Sequence, residues 1–258
     1  MTMIIPIRPD VSISANQAAI KAAREIADLL REKLNAVIGL ATGGTQVAVY
    51  RELVRMHKEE GLDFSHATFF NLDEFIGIPP DHPQSFHRYM NEHFFNHVNA
   101  NRRHVHIPNG MSNQPLAESA RYERMIKEAG GIDLQLLGIG RNGHIGFCEP
   151  GTFPNSKTHA TALTPETRKD AASSFGGLRH VPKSAITMGM ATILRSKRII
   201  MLATGKTKAK AVEAMLTGPV TRDCPGSFLQ GHPNVSYYFD QSAYARVAIA
   251  QSMPTPQP

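Results

Sequence analysis

Residues 138–151 read "GIGRNGHIGFCEPG" and place an imidazole, His144, and a carboxylate, Glu149, in one glycine-rich stretch. A carboxylate near an imidazole selects its tautomer and raises its basicity, which is the equipment of proton transfer. A buried structural histidine is the commoner alternative. The first six residues, Gly138-Ile139-Gly140-Arg141-Asn142-Gly143, also match G-x-G-x-x-G, and the apolar run "IDLQLL" (132–137) leads into them, as a dinucleotide fingerprint requires. That reading needs a helix to open at the third glycine. Gly146 and Pro150 follow closely and argue against one, so the glycines are read as bends that bring His144 and Glu149 together.

Three further stretches carry chemistry. Thr42-Gly43-Gly44-Thr45 follows "AVIGLA" (36–41). Adjacent glycines let backbone N–H groups turn inward, and a following helix N-terminus favours an anion. The stretch is a phosphate cradle or a plain turn with Thr45 as cap, and it lacks the Gly-Lys-Ser/Thr ending of a Walker loop. Asp73-Glu74 follows "ATFFNL" (67–72). Paired acids are costly to desolvate and raise each other's pKa, which suits a general base; otherwise one caps a turn and the other is solvated. Thr204-Gly205-Lys206-Thr207-Lys208 follows "RIIMLA" (198–203), and a lysine opposing a helix N-terminus is explained by a bound phosphate or by solvation.

The elements that must position these residues are legible in the pattern. "AVIGLA", "ATFFNL", "IDLQLL" and "RIIMLA" are apolar runs of strand length, mostly continuous, as expected for strands covered on both faces; "HVHI" (104–107) and "VSYYF" (235–239) are weaker strands. Helical stripes run through Ile20, Ala23, Ala27 and Leu30, through Leu53 and Val54, and through 85–95, 118–129 and 206–216. The alternation predicts an α/β fold with a single doubly wound, mostly parallel sheet and helices on both faces. In such sheets ligands bind beyond the carboxyl ends of the strands, where all four stretches fall. One domain is expected over 1–258, with 253–258 a loose tail.

Bulk composition sets the outer limits. The chain has 258 residues, 41% hydrophobic and 19% charged, which excludes a disordered or disulfide-stapled class. No apolar run is long enough to span a membrane, and "MTMIIPIRPD" has no basic leader. Cys148 and Cys224 lie in no C-x-x-C or metal-ligand spacing, and their scarcity points to the reducing cytoplasm. The net charge is +6, but the basic residues are scattered, with "RSKR" (195–198) the densest group, so nucleic-acid binding is not expected.

With those residues in hand, the chain resembles the glucosamine-6-phosphate deaminase (glucosamine-6-phosphate isomerase) family. "GLATGGT" (39–45), "NLDEFIGIP" (71–79), "LLGIGRNGHIGFCEPGT" (136–152), "VPKSAITMG" (181–189) and "TGKTKA" (204–209) stand in the family's order and spacing. The resemblance implies a Rossmann-like fold of the sugar-phosphate isomerase/deaminase type. It implies conversion of glucosamine 6-phosphate to fructose 6-phosphate and ammonia, by an enzyme expected to be a hydrolase. It implies no metal or organic cofactor, a small sugar phosphate as partner, and neither nucleic acid nor membrane; monomer and homo-oligomer both stay open.

By resemblance, Asp73 takes the C2 proton, His144 assists ring opening, and Glu149 orients His144, with Asn142 beside them. Thr42, Gly43, Gly44, Thr45 and Lys208 hold the phosphate. Some family members carry Asp where this chain has Asn142. A phosphate-binding Arg of the family is replaced by Ser173, with Arg168 or Arg179 as candidate substitutes, and a family Tyr is Phe86. His159-Ala160-Thr161 stands where allosteric members have basic residues, so activation by an N-acetyl sugar phosphate is not expected. Gly176-Gly177 suits a lid over 165–180. The alternatives are a galactosamine-6-phosphate deaminase, a non-catalytic sugar-phosphate-sensing domain and, least of all, a nicotinamide enzyme.

Overall fold

The structure, a computed structural model, describes residues 8–252; the expected loose tail at 253–258 lies outside the described residues. The strands are β1 (Asp10–Ser12), β2 (Val37–Leu40), β3 (Thr68–Asn71), β4 (Asp73–Phe75), β5 (Val105–His106), β6 (Leu134–Leu137), β7 (His159–Ala162), β8 (Ser184–Thr187), β9 (Arg198–Ala203) and β10 (Val235–Asp240). The helices are α1 (Ala15–Glu32), α2 (Val47–Glu60), α3 (Phe86–His93), α4 (Pro115–Glu128), α5 (Pro165–Ala171), α6 (Met190–Leu194), α7 (Ala209–Thr217) and α8 (Gln241–Ser252).

A seven-stranded sheet runs in the order β1-β10-β9-β6-β2-β3-β5. All its pairings are parallel. The expected doubly wound sheet is therefore present. Its inner strands β2, β3, β6 and β9 are buried almost throughout because both faces are covered. Ile38, Leu40 and Phe69 pack on one face with Leu30 of α1 and Tyr50 of α2. Val37, Phe70 and Leu137 pack on the other with Val212 of α7 and Tyr122 of α4. The helices open on local signals: the Ser14 side chain accepts from Gln17 N, Pro115 occupies the first turn of α4, and Thr164 accepts from Thr167 N ahead of Pro165.

The sheet order reverses between β2 and β6. From β2 the chain winds outward through β3 to β5; from β6 it winds the other way through β9 to β10. The loops after β2 and β6 therefore open a crevice between them, where such folds hold ligands.

A second sheet, β4-β8-β7, is antiparallel and was not expected from the sequence. Asp73 pairs with Thr187 and His159 also pairs with Thr187, so β8 runs down the middle. Asp73-Glu74 thus belongs to a short strand of its own rather than to a loop. The basic group at 195–198 is neutralised locally: Arg195 pairs with Glu123, Lys197 with Asp133 and Arg198 with Glu32. Both cysteines are free and buried. Among the described residues no helix is long and apolar enough to cross a membrane.

Candidate active site

A pocket of about 340 Å³ opens over the carboxyl edge of the large sheet, a volume in the range of small-ligand sites. Thr42, Gly43, Gly44 and Thr45 line it from the loop after β2, Asp73 from β4, His144 from the loop after β6, and Lys208 from the turn after β9. The structure therefore gathers residues from all four stretches. Asn142 and Glu149 do not line it; they stand behind His144.

Asp73 and Glu74 divide their tasks by strand alternation. Glu74 accepts from Ser85 Oγ at 2.7 Å and from the backbone N of Phe75, Phe86 and His87 at 2.8, 3.1 and 3.2 Å. It grips the first turn of α3. Burial pushes its pKa up, and these bonds oppose the rise. Asp73 is 5% exposed, and no donor among the described residues meets its carboxylate. Desolvation first, and the Glu74 charge second, push its pKa well above the ordinary value. The Cβ direction of Gly146 ends 3.1 Å from Asp73 Oδ2, so a side chain there would fill the space beside the carboxylate.

His144 lies against Gly140, whose hydrogen points at the ring; a Cβ there would come within 2.2 Å of the imidazole. His144 Nδ1 faces Glu149 Oε2 at 3.4 Å. Asn142 joins the two: its Nδ2 donates to Glu149 Oε2 at 3.1 Å, and its Oδ1 accepts from His144 N at 3.2 Å. Glu149 Oε1 accepts from the Thr167 hydroxyl and, at 3.2 Å, from that of Thr164. Burial would raise the Glu149 pKa, but the hydrogen bonds and the His144 contact outweigh it and hold the carboxyl at about 2. Asn142 thus fixes the pair by hydrogen bonds without adding charge.

The glycines of the G-x-G-x-x-G match have packing roles. Gly138 makes room for Gln46, Gly140 for His144, and Gly143, at φ +87°, for Cys224. Turns and bends follow Gly143, with no helix before α5. The pyrophosphate-binding geometry of a dinucleotide site is not built.

The phosphate-cradle stretch is held from outside. Tyr89 of α3 donates to Gly43 O at 2.7 Å, and Thr204 Oγ1 reaches Thr45 Oγ1 at 3.5 Å. Thr45 does not cap α2; Gln46 occupies that position, with no side-chain cap bond. Lys206 is exposed, whereas Lys208 turns into the pocket. Desolvation lowers the Lys208 pKa; Asp170 opposes this and Arg141 adds to it.

Neither candidate substitute for the phosphate-binding Arg reaches the pocket. Arg168 donates to Leu178 O and Val181 O, and Arg179 points to His180. Both are spent on shaping the 165–181 segment.

Sequence reasoning missed Gln46 and the aromatic wall. Phe75, Phe86, Phe147 and Phe175 line one side of the pocket. The Phe75 ring lies 5.0, 5.2 and 5.3 Å from the other three. They come from four separate segments, so no periodicity marks them. Gln46 had a signal, its position directly after the Thr42-Gly43-Gly44-Thr45 stretch.

A parallel α/β sheet with a pocket at its switch point, titratable groups on one side and an aromatic wall on the other, defines the class of protein: a small-ligand-binding α/β fold. Residues 9–237 match the family model described as glucosamine-6-phosphate isomerases/6-phosphogluconolactonase, and the chain belongs to that family. A glucosamine-6-phosphate deaminase of Bacillus velezensis is 48% identical over 86% of this chain and 92% of its own. One from Thermoanaerobacter pseudethanolicus is 44% identical over 90% and 92%. The solved structure of a monomeric glucosamine-6-phosphate deaminase superposes with a TM-score of 0.91 at 45% identity, covering 93% of this chain and 99% of that one. The 6-phosphogluconolactonase of Trypanosoma brucei, at 19% identity and a TM-score of 0.75, shares the fold.

These relatives correct one expectation. The family is described by isomerases and its close members as deaminases. The class they indicate is an isomerising deaminase, of lyase or isomerase type, and not a hydrolase. The residues themselves point to proton transfer, which agrees with that class.

Proposed function

We propose that the protein is a cytoplasmic, single-domain glucosamine-6-phosphate deaminase that forms fructose 6-phosphate and ammonia. The observation that carries this reading is Asp73, a buried carboxylate that meets no donor among the described residues, in one pocket with His144 and its Glu149–Asn142 support. The Thr42-Gly43-Gly44-Thr45 backbone and Lys208 hold the phosphate and set the sugar over Asp73. His144 passes a proton to the ring oxygen as the ring opens. The substrate ammonium then acidifies the C2 hydrogen and favours the ionised form of Asp73. Asp73 removes that proton to leave an enolamine and returns a proton at C1. The resulting C2 iminium takes up water and loses ammonia.

The test is ammonia and fructose 6-phosphate formation over a panel of hexosamine phosphates. Equal amounts of both products from glucosamine 6-phosphate support the reading. Absence of ammonia from every member of the panel overturns it.

A further inference from the structure

We infer that Gln46 is a specificity-determining residue whose side-chain amide reads the hydroxyl at C4 of the sugar phosphate. The inference rests on the proposed reaction and goes beyond it by naming how the sugar itself is selected.

Gln46 is 3% exposed as a residue, its side chain lines the pocket, and it makes no side-chain cap bond to α2. An amide whose opening is a ligand pocket finds its hydrogen-bond partners there, in water or in the ligand. Space has been cleared for this one. A Cβ on Gly138 would stand 2.6 Å from Gln46 Nε2, and one on Gly43 would stand 3.1 Å from its Oε1. Gln46 belongs to the loop after β2 and Gly138 to the loop after β6, so the amide bridges the two sides of the switch point.

Its place dictates what it meets. The cradle beside it takes the phosphate on C6, and His144, packed on Gly140 two residues beyond Gly138, serves the ring oxygen on C5. The next carbon, C4, bears the first free hydroxyl. An amide offers a donor and an acceptor side by side, matching a hydroxyl, which both accepts and donates; a phosphate dianion only accepts. A site built to hydrogen-bond one hydroxyl discriminates against a substrate that lacks it or presents it on the other face.

The experiment compares glucosamine 6-phosphate, its C4 epimer galactosamine 6-phosphate, and the 4-deoxy analogue on the wild type and on Gln46→Met, which keeps length without the amide. Wild-type ammonia release is measured first and tests the underlying reading separately. The expected result is a loss of about tenfold or more in kcat/KM for glucosamine 6-phosphate in the variant. The preference for the gluco epimer shrinks toward unity, and the 4-deoxy penalty seen in the wild type disappears. A merely structural role would lower Tm and slow all three substrates alike. An unchanged epimer ratio in an active variant overturns the inference. If the variant does not fold, a wild type that handles the 4-deoxy analogue as well as glucosamine 6-phosphate overturns it equally.

Discussion

Replacing Glu149 by Gln tests the support behind His144. Every neighbour of the carboxylate is a donor or a facing ring nitrogen: the Thr164 and Thr167 hydroxyls on Oε1, Asn142 Nδ2 and His144 Nδ1 on Oε2. A glutamine must turn its NH2 toward one of these sets, so it loses a charge and sets donor against donor. The size of the effect follows from linkage. Holding the carboxyl at about 2 against an ordinary 4.5 is worth about 3 kcal/mol, at 1.36 kcal/mol per unit. For a chain of this size that is a drop of roughly 6–12 °C in Tm. The sign of the pH dependence is fixed, because a depressed carboxylate stabilises fully above its unfolded pKa and loses that contribution as pH falls toward its folded one. Wild type and Glu149→Gln should therefore differ most above about pH 5 and converge toward pH 2. Thermal unfolding of both proteins across that series is the assay, with ammonia release at neutral pH falling in parallel. An unchanged Tm at pH 7, or a gap that stays constant on acidification, refutes the reasoning.

Asp73→Asn should lower ammonia release by about 10²–10⁴-fold. It should also raise Tm at pH 8, because the lost carboxylate is held well above its ordinary pKa and costs stability as it ionises; the gain should shrink on acidification, as calorimetry at several pH values would show. Gly140→Ala puts a Cβ within 2.2 Å of the His144 ring, so steady-state rates should fall at least a hundredfold while circular dichroism stays native. Tyr89→Phe removes the 2.7 Å bond to Gly43 O and about 1 kcal/mol of support for the phosphate loop; KM should rise roughly fivefold, with a smaller change in kcat.

How much of this was legible varies by element, for physical reasons. The buried parallel strands announce themselves because coverage on both faces demands unbroken apolar runs, as in "RIIMLA" and β9. The second sheet does not. β4 has three residues, two of them acidic, and its partner β8 lies more than a hundred residues away, so nothing local marks either as a strand. The residue types alone do not divide Asp73 from Glu74, and in the sequence only the family resemblance picks Asp73; the physical separation comes from α3, whose first-turn N–H groups meet Glu74. The candidate roles of Arg168 and Arg179 fail for the same kind of reason, since a guanidinium goes to whichever carbonyl or ring the folded segment presents.

By itself the sequence determined the layer order, the strand ends that carry chemistry, and the residue types able to move a proton or hold an anion. These follow from local rules: period, burial on one or two faces, and the backbone freedom of glycine. Beyond the His144–Glu149 pair, tertiary structure decided which of those residues meet. Desolvation, which raises Asp73, and convergence of donors, which lowers Glu149, are properties of neighbours brought from distant segments. The G-x-G-x-x-G stretch shows the difference most directly. Its glycines were visible at once, but that they clear space for Gln46, His144 and Cys224 is a fact about side chains that only the folded chain brings into contact.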